Sequence, residues 1–457
     1  MKNKGHIHFI AIGGAVMHNL ALALNKMGYT VTGSDDEIFD PALSNLRNAA
    51  ILPEAIGWFP EKISNALESV VVGMHARSDN PELIRARELN LPVFSFPEFI
   101  FEKSRNKTRI VIGGSHGKTS ITSMIMHALR KAGKDFDYLV GARIDGFELT
   151  VHLSNAPVIL IEGDEYPDSA WNRTPKFHIY KPDIAFISGI SWDHINIFPT
   201  FENYMEQFEK FLSLVPADGK IIFNSEDKEV VNLISDHKTG AEKISYKTPA
   251  YTMKNGKPVV RIMDNQIPLS VSGKHNVQNL AGAAAVCQLL GVSENDFWNS
   301  VQDFKGAARR LEVIAEGNNS VVIRDFAHAP SKLMATVSAV RETYPDKKVI
   351  AIFELHTFSS LSKKFLPHYH DCLAQADVSA VFYSVQAIHH KKLEPISDID
   401  VQKGFNDQHL PVFSDRNLLE QFIRNQISEN SVLLLMSSGN FDSLDLIALS
   451  TFATQKI

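Results

Sequence analysis

The stretch "VIGGSHGKTSITSM", Val111–Met124, constrains this chain more than any other. Arg109–Ile112 reads as a short strand. Gly113, Gly114 and Gly117 then interrupt it, and Ile121, Met124, Ile125, Ala128 and Leu129 recur at helical spacing up to Gly133. A buried strand that runs through a glycine loop into a helix commits the chain to layered α/β architecture, because the helix must cover the sheet and the chain returns parallel. The same grammar recurs. "HIHFIAIGG" places a strand at Ile7–Ile12, followed by Met17, Leu20, Ala21 and Leu24 on one helix face, with Gly28 as the stop. Tyr29–Thr32 is the next strand and ends in "GSDD". "VVVG" near Val70 and "PVFSF" near Val93 extend that sheet. "PVILIEGDE" and "PDIAFISGI" extend the second, and "KHNVQNLAGAAAVCQLLG" reads as a capped helix ending at Gly291. "SVVIRDFAH", with Pro330 suited to the first helical turn after it, opens a third unit that continues through "KVIAIFE", "VSAVFY" and "SVLLLMSSG".

The 457 residues suggest about three domains at roughly 150 residues each. We place them at 1–106, 107–312 and 313–457, with the charged "EKSRNKT", Glu102–Thr108, as a linker. Apolar residues make up 44% of the chain, enough to fill several cores. The net charge of −6 argues against a nucleic-acid partner, which calls for a basic stripe. No apolar run reaches the ~20 residues of a membrane span. Gly13-Gly14 and His18-Asn19 interrupt the apolar Ile7–Leu24, and a second strand follows it, unlike a signal peptide. The two cysteines, Cys287 and Cys372, form neither a metal spacing nor a disulfide framework, which suits a reducing, cytoplasmic compartment.

The opening loop has the ingredients of a phosphate cradle. Backbone N–H groups from Gly114 to Ser120 can hold phosphates at the helix start, Lys118 can neutralise them, and the Thr119 hydroxyl can ligate Mg²⁺. The full pattern Gly-x-x-x-x-Gly-Lys-[Ser/Thr] has Ile112 in its first glycine place, so the loop is one residue tighter. The competing reading is an ordinary glycine turn with a surface lysine. Glu162, Asp164 and Glu165 sit at the end of a strand, the edge where open α/β sheets bind ligands, with Glu162 as the metal carboxylate; a solvated acidic loop would look alike. Asp193-His194 occupies the same edge one strand on, where His194 could hold a metal or orient water. Asn276 and Asn279 share a helix face and could bond adenine, or could be a cap and a surface amide. Arg309-Arg310, Asp325 and His328 follow the second boundary; an arginine on a hinge could reach phosphates and Asp325 a ribose hydroxyl. In the first block, Ala11 and Val16 occupy two glycine places of the dinucleotide fingerprint, while Asp35 lies where a ribose-binding acid would. Gly13 and Gly14 therefore fit a nucleotide or nucleotide-sugar phosphate better than a nicotinamide.

Taken in order, "FIAIGG", "GGSHGKTS", "EGDE", "SWDHINIF", "KHNVQN" and "RDFAHAP" resemble the Mur ligases, ATP-dependent amide-forming enzymes of peptidoglycan synthesis. The resemblance spans essentially the whole chain. It implies α/β folding in three domains: a Rossmann-like UDP-sugar domain, a central phosphate-loop ATPase with a parallel sheet, and a Rossmann-like C-terminal ligase domain. It implies that Gly114, Ser115, His116, Gly117, Lys118, Thr119 and Ser120 bind ATP, and that Thr119, Glu162 and His194 hold Mg²⁺. Lys118, Glu162 and His194 would be the catalytic set. Asn276 and Asn279 would sit by adenine or ribose, Arg310, Asp325 and His328 would close over the nucleotide, and Gly13, Gly14, Ser34 and Asp35 would face UDP. Two places depart from the family: Ser115 is usually Thr, and where several relatives carry a carbamylated lysine this chain has Glu209 beside Lys210.

His116 and the N-terminal "GG" resemble the branch that acts on UDP-N-acetylmuramate. "AVMHNLALALNKMGYTVTGSDDEIFDP", "GWFPEKI" and "ISWDHINIFPTFENYMEQFEKF" are most like its peptide ligases. That similarity implies a recycled L-alanyl-γ-D-glutamyl-meso-diaminopimelate as amine, with L-alanine as the alternative, and a monomer or weak homo-oligomer. His356, Ser359 and Asn440 are candidates for holding the peptide. A phosphate-loop switch without ligase activity is the more distant alternative.

Overall fold

The structure is a computed structural model that describes residues 4–169, 172–317 and 319–455. The first sheet holds β1 (His6–Ile10), β2 (Thr30–Ser34), β3 (Ser69–Val72) and β4 (Val93–Ser95), all parallel, in the order β2-β1-β3-β4. The helix Ala15–Lys26 buries Met17, Leu20 and Leu24 and stops before Gly28, as its spacing predicts.

The second sheet holds β5 (Thr108–Gly113), β6 (Asp137–Leu139), β7 (Val151–His152), β8 (Val158–Glu162), β9 (Ile184–Ile187), β10 (Lys220–Asn224) and β11 (Glu242–Tyr246). Its order is β11-β10-β9-β5-β8-β6-β7, and the short β7 runs antiparallel to β6. The strand entering the glycine loop is central. Ile112 pairs with Glu162 on β8, and Gly113 with Ile187 on β9, so three strand ends meet at one level. The charged "EKSRNKT" is no free linker. Glu102 and Lys103 finish the helix Phe96–Lys103, and the Lys107 ammonium meets Asp137 at 2.9 Å while donating to the carbonyls of Ser154 and Ala156. Both sheets belong to one compact unit, residues up to Ile190 together with Met205–Ser245.

Ser191–Tyr204 and the chain from Tyr246 onward form the second unit. It opens with an antiparallel sheet that was not anticipated: β12 (Tyr251–Lys254), β13 (Lys257–Ile262) and β14 (Asn265–Pro268). Its signal is "KNGK": Asn255 and Gly256 both take positive φ, the conformation of a two-residue hairpin whose twist suits the flanking strands. The main sheet holds β15 (Glu312–Glu316), β16 (Val321–Asp325), β17 (Lys348–Leu355), β18 (Val378–Tyr383), β19 (Val412–Phe413) and β20 (Ser431–Met436). Their order is β15-β16-β20-β17-β18-β19, parallel except for the edge strand β15. Apolar residues cover both faces, Leu333, Val337 and Phe353 on one and Ile350, Leu419 and Leu449 on the other, which is why these strands read as continuous apolar runs.

Candidate active site

The glycine loop turns at Gly114 (φ +130°) and caps its helix with Gly117 (φ +78°). Ser115 N–H donates to the Gly189 carbonyl at 2.9 Å, and the Ser188 hydroxyl donates to the His116 carbonyl, so the loop is sewn to the end of β9. The helix Lys118–Lys131 begins immediately, with its first N–H groups aimed into the loop.

Lys118 is not a surface lysine. Its side chain is 15% exposed, and its ammonium donates to Glu165 and to the Gly114 carbonyl, each at 2.6 Å. Burial opposes its charge, but Glu165, Asp164 and Glu162 outweigh burial and hold the ammonium above its ordinary range. The Thr119 hydroxyl donates to Glu162 Oε1 at 2.7 Å, and Gly141 N–H to Glu162 Oε2 at 2.7 Å. Strand register explains the meeting of Thr119 and Glu162: β5 and β8 end side by side. Asp164 pairs with Lys176 at 2.6 Å.

A cavity of about 260 Å³ opens from this loop toward the first sheet. Gly14, Met17, Gly73 and His75 line one side, and Lys118, Glu162, Asp164, Lys176 and Tyr180 the other. Lys176 and Tyr180 escaped the sequence reading. "TPKFHIY" carries no motif, and only the fold turns these side chains toward the loop.

At the first sheet's edge, Ser34 is fully buried and its carbonyl accepts from Ala11 N–H and Ile12 N–H. Gly13 N–H donates to Asp35 Oδ2 at 2.7 Å. Asp35 is 6% exposed, and burial, partly offset by that N–H, pushes its carboxyl up to about 6. The folded state therefore binds this proton more tightly than the unfolded chain. The associated stability is fully present below pH ~4 and is lost as pH rises through about 6, up to about 3 kcal/mol for two pKa units. Asp35→Asn keeps an acceptor for Gly13 and removes the ionisation. Urea midpoints should fall between pH 4.5 and 7 more in the unmodified protein than in this variant; parallel profiles would exclude the shift.

In the second unit, Asp193 is the hub. It is 3% exposed, and its carboxylate lies 3.6 Å from His328 Nε2, 3.7 Å from the Lys332 ammonium and 3.7 Å from His194 Nδ1. Burial resists its ionisation, but His194, His328 and Lys332 prevail and hold it well below the usual carboxylate range. Burial and Lys332 push His328 down while Asp193 pulls it up, and its Nδ1 lies against the Phe326 carbonyl at 2.9 Å. His194 sits at φ +58°.

Asn276 is not a helix cap. Gly273 holds that position, and Asn276 lies in the first turn, donating to the Ser272 carbonyl at 2.9 Å. Asn279 is buried on the same helix. The Arg310 guanidinium stacks 4.7 Å from the Phe326 ring centroid. Asp325 accepts from Leu311 N–H, Ala327 N–H and the Thr336 hydroxyl, so it anchors the arginine-bearing segment to β16. His356 lies 3.4 Å from the fully buried Glu354, Ser359 accepts from Ile195 N–H, and Asn440 follows the end of β20.

Three family descriptions match consecutive parts of the chain: "Mur ligase family, catalytic domain" over residues 6–108, "Mur ligase middle domain" over 112–287 and "Mur ligase, glutamate ligase domain" over 309–439. The UDP-N-acetylmuramate–L-alanine ligase of Sulfurihydrogenibium sp. is 31% identical over 449 residues, covering 96% of each chain. That of Persephonella marina is 31% identical over 454 residues, covering 96% of this chain and 95% of its own. Among solved structures, a murein peptide ligase from Psychrobacter arcticus superposes with a TM-score of 0.67 at 23% identity, covering 99% of both chains. A UDP-N-acetylmuramate-alanine ligase from Thermotoga maritima gives 0.70 at 22%, covering 98% of both. Those two share the three-domain fold. Among the described residues no helix is long and apolar enough to cross a membrane. The whole-length relatives and the three consecutive domains establish that this chain belongs to the Mur ligase family, the ATP-dependent amide-forming ligases of peptidoglycan synthesis.

Proposed function

We propose that this enzyme joins L-alanyl-γ-D-glutamyl-meso-diaminopimelate to UDP-N-acetylmuramate in the cytoplasm, with ATP and Mg²⁺, in peptidoglycan recycling. The observation that carries the activation chemistry is the convergence of Lys118 and Glu162, the latter bonded by the Thr119 hydroxyl, on one cavity that continues to Gly14. The domain limits we propose remain 1–106, 107–312 and 313–457.

The residues present fit magnesium. Thr119 and Glu162 offer hard oxygen donors 2.7 Å apart. Magnesium commonly keeps phosphate oxygens and waters among its ligands, so two protein oxygens do not need a closed protein cage around them. When bound, the ion offsets charge on the transferring phosphoryl group. The loop N–H groups orient ATP, and Lys118 neutralises charge that builds on the phosphates. The sugar's lactyl carboxylate attacks the γ-phosphorus and becomes an acyl phosphate as ADP leaves. The peptide's free amine then attacks the carbonyl carbon, and phosphate departs as the amide forms. His194 is proposed as a further metal ligand, and Asn276, Asn279, Arg310, Asp325 and His328 are proposed on the nucleotide side.

The choice of amine rests on the Ala15–Pro41 and Ile190–Phe211 segments, whose wording is most like the peptide ligases. The relatives' names favour a second reading, L-alanine as the amine. ADP release with UDP-N-acetylmuramate and either the tripeptide or L-alanine separates them. Turnover with the tripeptide at kcat/KM well above that for alanine is expected; the reverse order makes the enzyme an alanine-adding ligase. Turnover without the sugar nucleotide would point to a switch instead.

A further inference from the structure

Lys176 is a second ammonium in the cavity of the phosphate loop. Its side chain is 9% exposed and lies 5.7 Å from the Phe96 ring centroid. Its backbone N–H donates to the Tyr166 carbonyl and Phe177 N–H to the Asp164 carbonyl, which ties the acidic turn after β8 to this segment. The 2.6 Å pair with Asp164 is lopsided, because the Asp164 side chain is 41% exposed. A carboxylate so exposed is solvated by water and does not require a buried cation. The desolvated ammonium is the partner that needs a counter-charge. Asp164 Oδ1 accepts from Tyr166 N–H at 3.1 Å and Oδ2 meets Lys176, whose ammonium faces the cavity shared with Lys118 and Gly14.

We propose that Lys176 is a substrate-binding residue that exchanges Asp164 for the lactyl carboxylate of the sugar nucleotide, an inference that rests on the function proposed above. The anion seated between Lys176 and the phosphate loop is the one beside the γ-phosphate, and that is the carboxylate to be phosphorylated. The nucleotide diphosphate is the other anion of the same ligand, and the test separates the two.

UDP-N-acetylglucosamine keeps the diphosphate and lacks the lactyl carboxylate. By calorimetry, the unmodified protein should bind UDP-N-acetylmuramate more tightly than UDP-N-acetylglucosamine. Lys176→Met should remove about a tenfold preference, as expected for one lost charge-assisted contact, and leave the KM for ATP within about twofold. Lys176→Arg should restore most of the preference. Equal weakening of both nucleotides by Lys176→Met would move the contact to the diphosphate and overturn the assignment. Unchanged binding of both would make Lys176 only a partner for Asp164. An unmodified protein with no preference between the two nucleotides also overturns the proposal, whether or not the variant folds. If neither amine is ligated and yet the preference exists and depends on Lys176, the ligase reading fails while this site stands.

Discussion

Lys118→Ala should lower kcat for ligation at least about a hundredfold, the scale seen when one preorganised transition-state donor is lost. The geometry argues for both a catalytic and a structural effect. The ammonium lies where the loop and the acidic turn after β8 converge, and it remains charged despite burial because Glu165, Asp164 and Glu162 surround it. Its removal leaves Glu165, 1% exposed on its side chain, without that counter-charge, which costs on the order of 3 kcal/mol in stability. The two effects come apart in the double variant. Lys118→Ala with Glu165→Gln should recover much of the lost melting temperature and none of the ligation. Near-normal ligation by Lys118→Ala alone would remove this lysine from the mechanism.

Gly114→Ala should be as severe by a different route. A Cβ there would lie 2.1 Å from the Ser188 hydroxyl, 3.1 Å from Ser188 N and 3.2 Å from Gly189 N, at a φ of +130° that alanine rarely adopts. The loop must move away from β9, and its N–H groups lose the alignment that the proposed phosphate cradle requires. We expect the KM for ATP to rise at least about tenfold, since displacement by an ångström can cost more than that. Ser188→Ala should not rescue it, because the backbone contacts and the dihedral remain. Gly133→Ala is the control: it also has positive φ, but its Cβ meets nothing within 4 Å, so only a modest stability loss and no change in ATP affinity should follow. A Gly114→Ala variant with unaltered ATP affinity would show that the cradle is not formed by this backbone.

Much of the fold was legible because a buried parallel strand and an amphipathic helix leave periodic marks in local sequence. The strands at Ile7, Val111, Val158 and Ile323 and the helix Ala15–Lys26 were readable for that reason. The antiparallel β12–β14 sheet was missed although "KNGK" announces its first turn. The alternation of its strands is weak, so only the turn chemistry could have found it.

The site divides along the same line. The glycine loop that opens a helix and the acidic strand end were legible in the sequence alone, since each is a contiguous segment with its own turn chemistry and charge. Which of those acids meets which loop residue was decided by tertiary structure. The order β9-β5-β8 sets Glu162 against Thr119, brings Glu165 to Lys118 and turns Lys176 into the cavity. The hub joining Asp193 to His328 and Lys332 spans residues far apart in the chain and likewise exists only once the second unit has folded. The physical reason is that periodicity records how a segment covers its nearest neighbour, whereas register and strand order depend on packing between segments that carry no mark of one another.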